Sequence, residues 1–259
     1  MIRLKTSEEI EILKEGGKRL AEILSILASK VAPGVSSLEL EEEARRLIRE
    51  GGDKPAFLGY SPQGAKRPCP AALCLSINEE IVHGIPNEVE KIIKEGDIVS
   101  LDFGLLHRGL ITDAAVTVPV GVIDKESKRL IEVTKTALER GIEAAQPGNT
   151  IGDIGAAISK IVQFSDFSLA ENLVGHGVGY KVHEDPFVPN FGIAGKGEKL
   201  VPGLVIALEP LVNVGKPANK LLSDGYTIVT RDGSRSAQFE HTIAITEKGN
   251  IVLTTPDLL

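Results

Sequence analysis

Two stretches of this chain share one frame. Gly96-Asp97-Ile98-Val99-Ser100-Leu101-Asp102 runs from a glycine through an apolar run to an acid, and Gly203-Leu204-Val205-Ile206-Ala207-Leu208-Glu209 repeats it at the same offset. A second apolar run follows each, opening with an acid: Asp113-Ala114-Ala115-Val116-Thr117-Val118 in one half, Glu240-His241-Thr242-Ile243-Ala244-Ile245 in the other. Apolar, β-branched runs seldom hold acids, because a buried carboxylate without a partner is costly. Singly, each acid reads as an ordinary strand-end residue facing water. Four in matching frames read as a cluster that cations hold together.

Side chains alternate faces along a strand, so residues two apart share a side. Ser100 then lies beside Asp102, Ala207 beside Glu209, Gln238 and Thr242 beside Glu240, and Ala115 and Thr117 beyond Asp113. Val99, Leu101, Leu204, Ile206, Leu208, Phe239 and Ile243 fall on the opposite side. The acid-bearing face is thus small or polar and the reverse face apolar, as expected of a sheet lining a pocket on one side and packed on helices on the other. His176, in Gly175-His176-Gly177-Val178-Gly179, sits among glycines that let backbone approach a ligand. His183 and His83 each precede a proline by three positions, in His183-Glu184-Asp185-Pro186 and His83-Gly84-Ile85-Pro86. A lone histidine of this kind is usually structural; beside a carboxylate cluster these three become candidate ligands or catalytic groups. His107 is expected to be exposed in a turn, and His241 to face away from Glu240.

The elements that must position these residues also recur. Pro33-Gly34 and Pro147-Gly148 each stand between two helical patterns, the first helices carrying Ile10, Leu13, Leu20, Leu24 and Leu27 in one half and Leu130, Val133, Ala137 and Ile142 in the other. Thr6 with Glu9, Ser36 with Glu39, and Thr150 with Asp153 are expected capping pairs at helix starts. Each half reads as helix, Pro-Gly turn, helix, then strands: an α/β domain over 1–259, its halves at about 1–122 and 123–259 and packed around a pseudo-twofold axis. The net charge of −7 and the lack of a dense Lys/Arg run give no footprint for DNA or other nucleic acid. No apolar run approaches the ~20 residues that span a bilayer, and no signal-peptide core is visible. Two cysteines, Cys69 and Cys74, are too few for a disulfide scaffold, so a reducing cytoplasmic setting is expected.

Several motifs stand in order along the chain: Ser76-Ile77-Asn78-Glu79-Glu80-Ile81-Val82-His83-Gly84-Ile85-Pro86, Leu101-Asp102-Phe103-Gly104 with Thr112-Asp113, the His176 glycine motif, Leu208-Glu209-Pro210, and Ser236-Ala237-Gln238-Phe239-Glu240-His241-Thr242. In these the chain resembles the methionine aminopeptidases of the short (type I) class, a likeness that runs from the first helix to about Thr254. The resemblance implies the pita-bread fold, two related halves sharing a central, mostly antiparallel curved sheet with helices on its outer face. It implies two divalent ions per chain (Co, Mn or Fe, with Zn a further choice), held by Asp102, Asp113, His176, Glu209 and Glu240. Asp113 and Glu240 would bridge both ions, Asp102 would hold one, and His176 with Glu209 the other.

The implied reaction is removal of the initiator methionine from nascent polypeptides, preferentially before a small second residue, by metal-activated water. Glu209 would be the general base, His183 would steady the oxyanion, and His83 would contact the peptide near the leaving nitrogen. Tyr60, Cys74 and Tyr226 would surround the methionine side chain. Val182 and Tyr226 depart from the residues most familiar there, and the Ser61–Pro70 stretch is longer than usual, a constrained loop at the pocket rim. Expected partners are N-terminal Met peptides and nascent chains, with transient ribosome contact; a monomer is the expected state. The competing readings are an Xaa-Pro peptidase and a non-catalytic peptide- or RNA-binding module on the same fold. The first is disfavoured by the lack of room for an extra N-terminal domain, the second by the presence of every ligand position.

Overall fold

The computed structural model describes residues 1–62 and 64–255. Four helices occur among them, α1 (Ser7–Lys30), α2 (Ser37–Glu50), α3 (Lys125–Ala144) and α4 (Ile151–Gln163). Thr6 accepts the Glu9 N–H while its own N–H donates to the Glu9 carboxylate, satisfying two free donors at the start of α1. Thr150 gives both its N–H and its hydroxyl to Asp153. Ser36 caps α2 but not with Glu39 as expected. Its hydroxyl accepts the Leu38 N–H and donates to Glu90, which a bridge between Ser36 and Ile92 brings into reach.

The strands make one nine-stranded sheet and two three-stranded ones, with every pairing among the described residues antiparallel. Across the middle of the large sheet lie, in order, Ile98–His107, Leu110–Pro119, Glu240–Thr246, Val205–Leu208 and Val174–Gly177; Cys74–Ile77 pairs with the first of these. Asp113 sits within its strand rather than opening it. A tight turn at Arg108 and Gly109, both at positive φ (48° and 88°), starts that strand earlier, at Leu110.

The reverse face carries Leu101, Phe103, Leu105, Ile206, Leu208 and Ile243, all buried, against α1 and α3. Register overturns one expectation here. His107 continues the 101, 103, 105 row and therefore points at α1 instead of into solvent. Its side chain is only 12% exposed, with Nδ1 2.7 Å from Asp53 and Nε2 3.4 Å from Glu15. His241 faces away from Glu240, as expected, with Nδ1 3.0 Å from the Thr254 hydroxyl.

One buried acid away from the cluster holds the segment that leads into Cys74. Glu41, on α2, accepts the N–H groups of Ala72 and Leu73 at 2.8 Å each. Arg45, one turn on, donates to Glu41 at 2.6 Å and to the Pro70 carbonyl at 2.9 Å. Removing Glu41 leaves two buried donors without acceptors. Glu41→Ala is therefore expected to destabilise the protein by about 3 kcal/mol, and Glu41→Gln by less because one acceptor remains. Denaturant melts of the two variants check this; equal stability to the parent would contradict it.

Candidate metal centre

Register alone brings the predicted residues to one face. Cys74, Asp102, Ala115 and Glu240 form a single cross-strand row. Thr242, Ala207 and His176 form the neighbouring row. Asp113 is two residues from Ala115, and Glu209 two from Ala207, so both share this face. Alanines and Gly104, which stands opposite Asp113, occupy the positions between the acids and leave the space in front of them open.

A ligand atom from each of Asp113, His176 and Glu240 lies within 4.8 Å of the others. His176 Nε2 is 3.5 Å from Glu209 Oε1, and Asp102 is on Glu240's row. Asp102, Asp113, His176 and Glu240 are buried, and Glu209 nearly so. The Asp102 and Asp113 Oδ1 atoms are buried with no hydrogen-bond partner. The Thr242 hydroxyl accepts the Asp113 N–H at 2.9 Å and donates to its carbonyl at 2.7 Å, fixing the backbone that presents this acid. His176 Nδ1 is 3.0 Å from the Gly177 carbonyl, so that nitrogen carries the proton and Nε2 keeps its lone pair toward the acids.

Electrostatics follow from this crowding. Burial raises Asp102 from its ordinary 3.8 to about 7. Asp113, Glu209 and Glu240 are pushed well above the carboxylate range, by burial first and then by neighbouring acid charge. Burial takes His176 down to about 3 and His83 to about 4, and lowers His183 as well. The imidazoles are thus neutral at pH 7, while the crowding favours the protonated forms of the acids unless cations neutralise them.

All ten predicted site residues line one pocket. His83 sits at its wall with a left-handed backbone, φ 59°, uncommon for a residue with a side chain. His183 stands at the mouth, its ring 4.4 Å from that of His176 and its Nδ1 2.8 Å from the Tyr60 hydroxyl. Tyr60, Cys74 and Tyr226 form walls, as expected. Pro62, of the extended loop, reaches the same pocket, while Gln63 lies outside the described residues.

Phe57 and Cys69 also line the pocket and were not among the sequence candidates. A signal for Phe57 existed in Gly104: a Cβ there would stand 2.9 Å from the Phe57 ring and 3.0 Å from Ala56, so this mid-strand glycine makes room for the wall. The glycines around His176 differ from expectation in what they admit. A Cβ on Gly175 would meet the Ala207 carbonyl at 2.3 Å, and one on Gly177 the Asp185 carbonyl at 2.2 Å. Neighbouring backbone, not a ligand, requires them.

Comparison with known proteins agrees with this architecture. The model of Metallopeptidase family M24 matches residues 11–247. The chain is 47% identical to the methionine aminopeptidase of Aquifex aeolicus over 98% of both chains. It is 43% identical to methionine aminopeptidase 1 of Bacillus subtilis, over 98% of this chain and 99% of the relative. The solved methionine aminopeptidase of Thermotoga maritima superposes with a TM-score of 0.93 at 43% identity, covering 98% of this chain and 100% of that one. Prolidase from Pyrococcus furiosus superposes at 0.75 with 23% identity, covering 98% of this chain and 66% of that one, a likeness of fold. The pita-bread architecture expected from the resemblance is the one found. The chain belongs to metallopeptidase family M24, and within that family it groups with the methionine aminopeptidases.

Proposed function

We infer that this chain is a metal-dependent aminopeptidase that removes the initiator methionine from nascent polypeptides, preferentially when the second residue is small. The observation that carries the reading is the row of buried acids with unpartnered oxygens facing an apolar pocket, on a chain similar throughout its length to methionine aminopeptidases. The donor set fits hard-to-borderline divalent cations: four carboxylates and one imidazole whose Nε2 lone pair faces them. We propose that Asp102, Asp113, His176, Glu209 and Glu240 would hold two such ions, whose charge would balance the four carboxylates. Mn, Fe and Co suit this set, and Zn is a fourth choice.

Bound there, the cations would supply Lewis acidity toward water and the scissile carbonyl. The chain's own residues do the rest. Glu209 accepts a proton from the attacking water and returns it to the leaving nitrogen. With the Tyr60 hydroxyl donating to His183 Nδ1, 2.8 Å away, Nε2 would carry the proton and donate to the developing oxyanion. His83, neutral at working pH, contacts the peptide beside the leaving nitrogen. Tyr60, Cys74 and Tyr226, together with Phe57 and Cys69, surround the first side chain with soft and aromatic contacts that suit a thioether.

We place the enzyme in the cytoplasm as a monomer acting on nascent chains, with transient ribosome contact. No described helix is long and apolar enough to cross a membrane. We also propose a single catalytic unit with halves at about 1–122 and 123–259. The helix pairs α1–α2 and α3–α4, each preceding one pair of acids, support that division.

Hydrolysis of Met-Ala-Ser, Met-Leu-Ser and Ala-Pro-Ala by metal-stripped protein, with and without Mn or Co, tests the reading. Metal-dependent cleavage of Met-Ala-Ser with little of the other two is expected. Cleavage of Ala-Pro-Ala instead would move the chain to the proline-specific branch. No cleavage of any peptide would leave a binding module.

A second expectation concerns pH. Carboxylates whose folded pKa is raised stabilise the metal-free protein only while protonated. For Asp102 that contribution is complete below its ordinary 3.8 and is lost as pH rises through about 7. Metal-free protein should lose melting temperature between pH 5 and pH 7.5, and the gain from saturating Mn should grow over the same range. A gain independent of pH would argue against ligation by these acids.

A further inference from the structure

We propose that Arg67 is a positioning residue that sets the width of the first-residue pocket, an inference that rests on the aminopeptidase reading above. Its own loop and the Tyr226 segment both wall the pocket, and they meet at Arg67 together with Glu88 from outside the pocket. Its guanidinium makes a two-pronged pair with Glu88, Nη1 to Oε1 and Nη2 to Oε2 at 2.8 Å. It also donates twice to the Asp224 carbonyl, at 2.8 Å and 3.2 Å. Its carbonyl accepts the Tyr226 hydroxyl, and the guanidinium carbon stands 5.6 Å from the centre of the Tyr226 ring.

The consequences run into the pocket wall. The Tyr226 hydroxyl also lies 3.4 Å from the Tyr60 carbonyl. The two ends of the Pro-rich loop are tied by Cys69 N–H to Tyr60 and Gly59 N–H to Cys69, each at 2.8 Å. Tyr60 in turn holds His183. Tyr60, Cys69 and Tyr226 all line the pocket, whereas Arg67 does not, so it acts through them. Asp224 further organises its own turn by accepting the N–H groups of Tyr226 and Thr227 at 2.9 Å each.

An exposed ion pair by itself contributes little stability, and the Arg67 and Glu88 side chains are each 36% exposed. The importance of this pair lies in geometry. A planar fork engages a carboxylate and a main-chain carbonyl together, which a lysine cannot reproduce. With that fork removed, the Arg67 carbonyl still accepts the Tyr226 hydroxyl, but the loop loses its side-chain ties to Glu88 and to the Asp224 turn that carries Tyr226, and the pocket widens.

The test measures kcat and KM of the Mn-loaded full chain for Met-Ala-Ser, Leu-Ala-Ser and Phe-Ala-Ser in the parent, Arg67→Ala, Arg67→Lys and Glu88→Gln. Arg67→Ala should raise KM for Met-Ala-Ser about tenfold and cut the preference for Met over Leu and Phe about tenfold, the scale that a pocket contact confers. Arg67→Lys should restore less than half of that preference, and Mn affinity measured by calorimetry should stay within about twofold of the parent. Glu88→Gln, which keeps the arginine and the fold, should shift preference the same way by about threefold and serves if Arg67→Ala fails to fold. A lowered melting temperature with unchanged preference in Glu88→Gln and Arg67→Lys would overturn the proposal, leaving Arg67 a stabilising surface residue. Parent protein that cleaves no Met peptide under any metal would remove the underlying reading as well; variants matching an active parent would sink this inference alone.

Discussion

The structure depends on an electrostatic cost that bound protons or cations must relieve. Four carboxylates are gathered on one face of a sheet, three of them below a tenth exposed, with two oxygens lacking any partner. No arginine or lysine pairs with them among the described residues, and the nearest base is an imidazole kept neutral by burial. A fold that merely needed stability would place apolar residues here. Retaining the acids makes sense as a site whose binding energy for divalent ions is drawn from the strain of their crowding.

Everything around the cluster serves to hold that crowding in register. Antiparallel pairing sets Asp102 and Glu240 in one row with Ala115 between them, and His176 in the next row across Ala207. Because side chains alternate, the same register presents Leu101, Phe103, Leu208 and Ile243 to the helices, so the apolar core and the polar site are two sides of one sheet. A slip of one residue would exchange them. The Thr242 hydroxyl, bonded to both the N–H and the carbonyl of Asp113, secures the central junction where the acid strands of the two halves meet. The second face of the pocket is built differently, from loops and short strands tied by side chains: Glu41 under the approach to Cys74, Arg67 across the rim, and Tyr60 on His183.

That division explains what could be read before the structure. The metal face was legible because strand alternation is a local rule, and acids at matching offsets in apolar runs are conspicuous against it. The motifs around His83, His176 and Glu240 added order and spacing that pointed to the same fold. Phe57 and Cys69 were not legible as pocket residues, since loops place side chains by tertiary contacts that no periodicity encodes. His107 was misread because its turn-like neighbours, Arg108 and Gly109, hid that it continues an inward-facing row. The glycines around His176 were recognised as a close approach, but the approaching groups, the Ala207 and Asp185 carbonyls, come from distant segments.

The most direct test of the cation requirement is calorimetric titration of Mn into metal-stripped protein near pH 7, in two buffers of different ionisation heat. The heats give the number of ions bound and the number of protons released. If buried acids hold protons that cations displace, two ions should bind with net proton release that diminishes as pH is raised, and Asp113→Asn should abolish at least one binding event. Binding without proton release at any pH, or undiminished binding in Asp113→Asn, would contradict it.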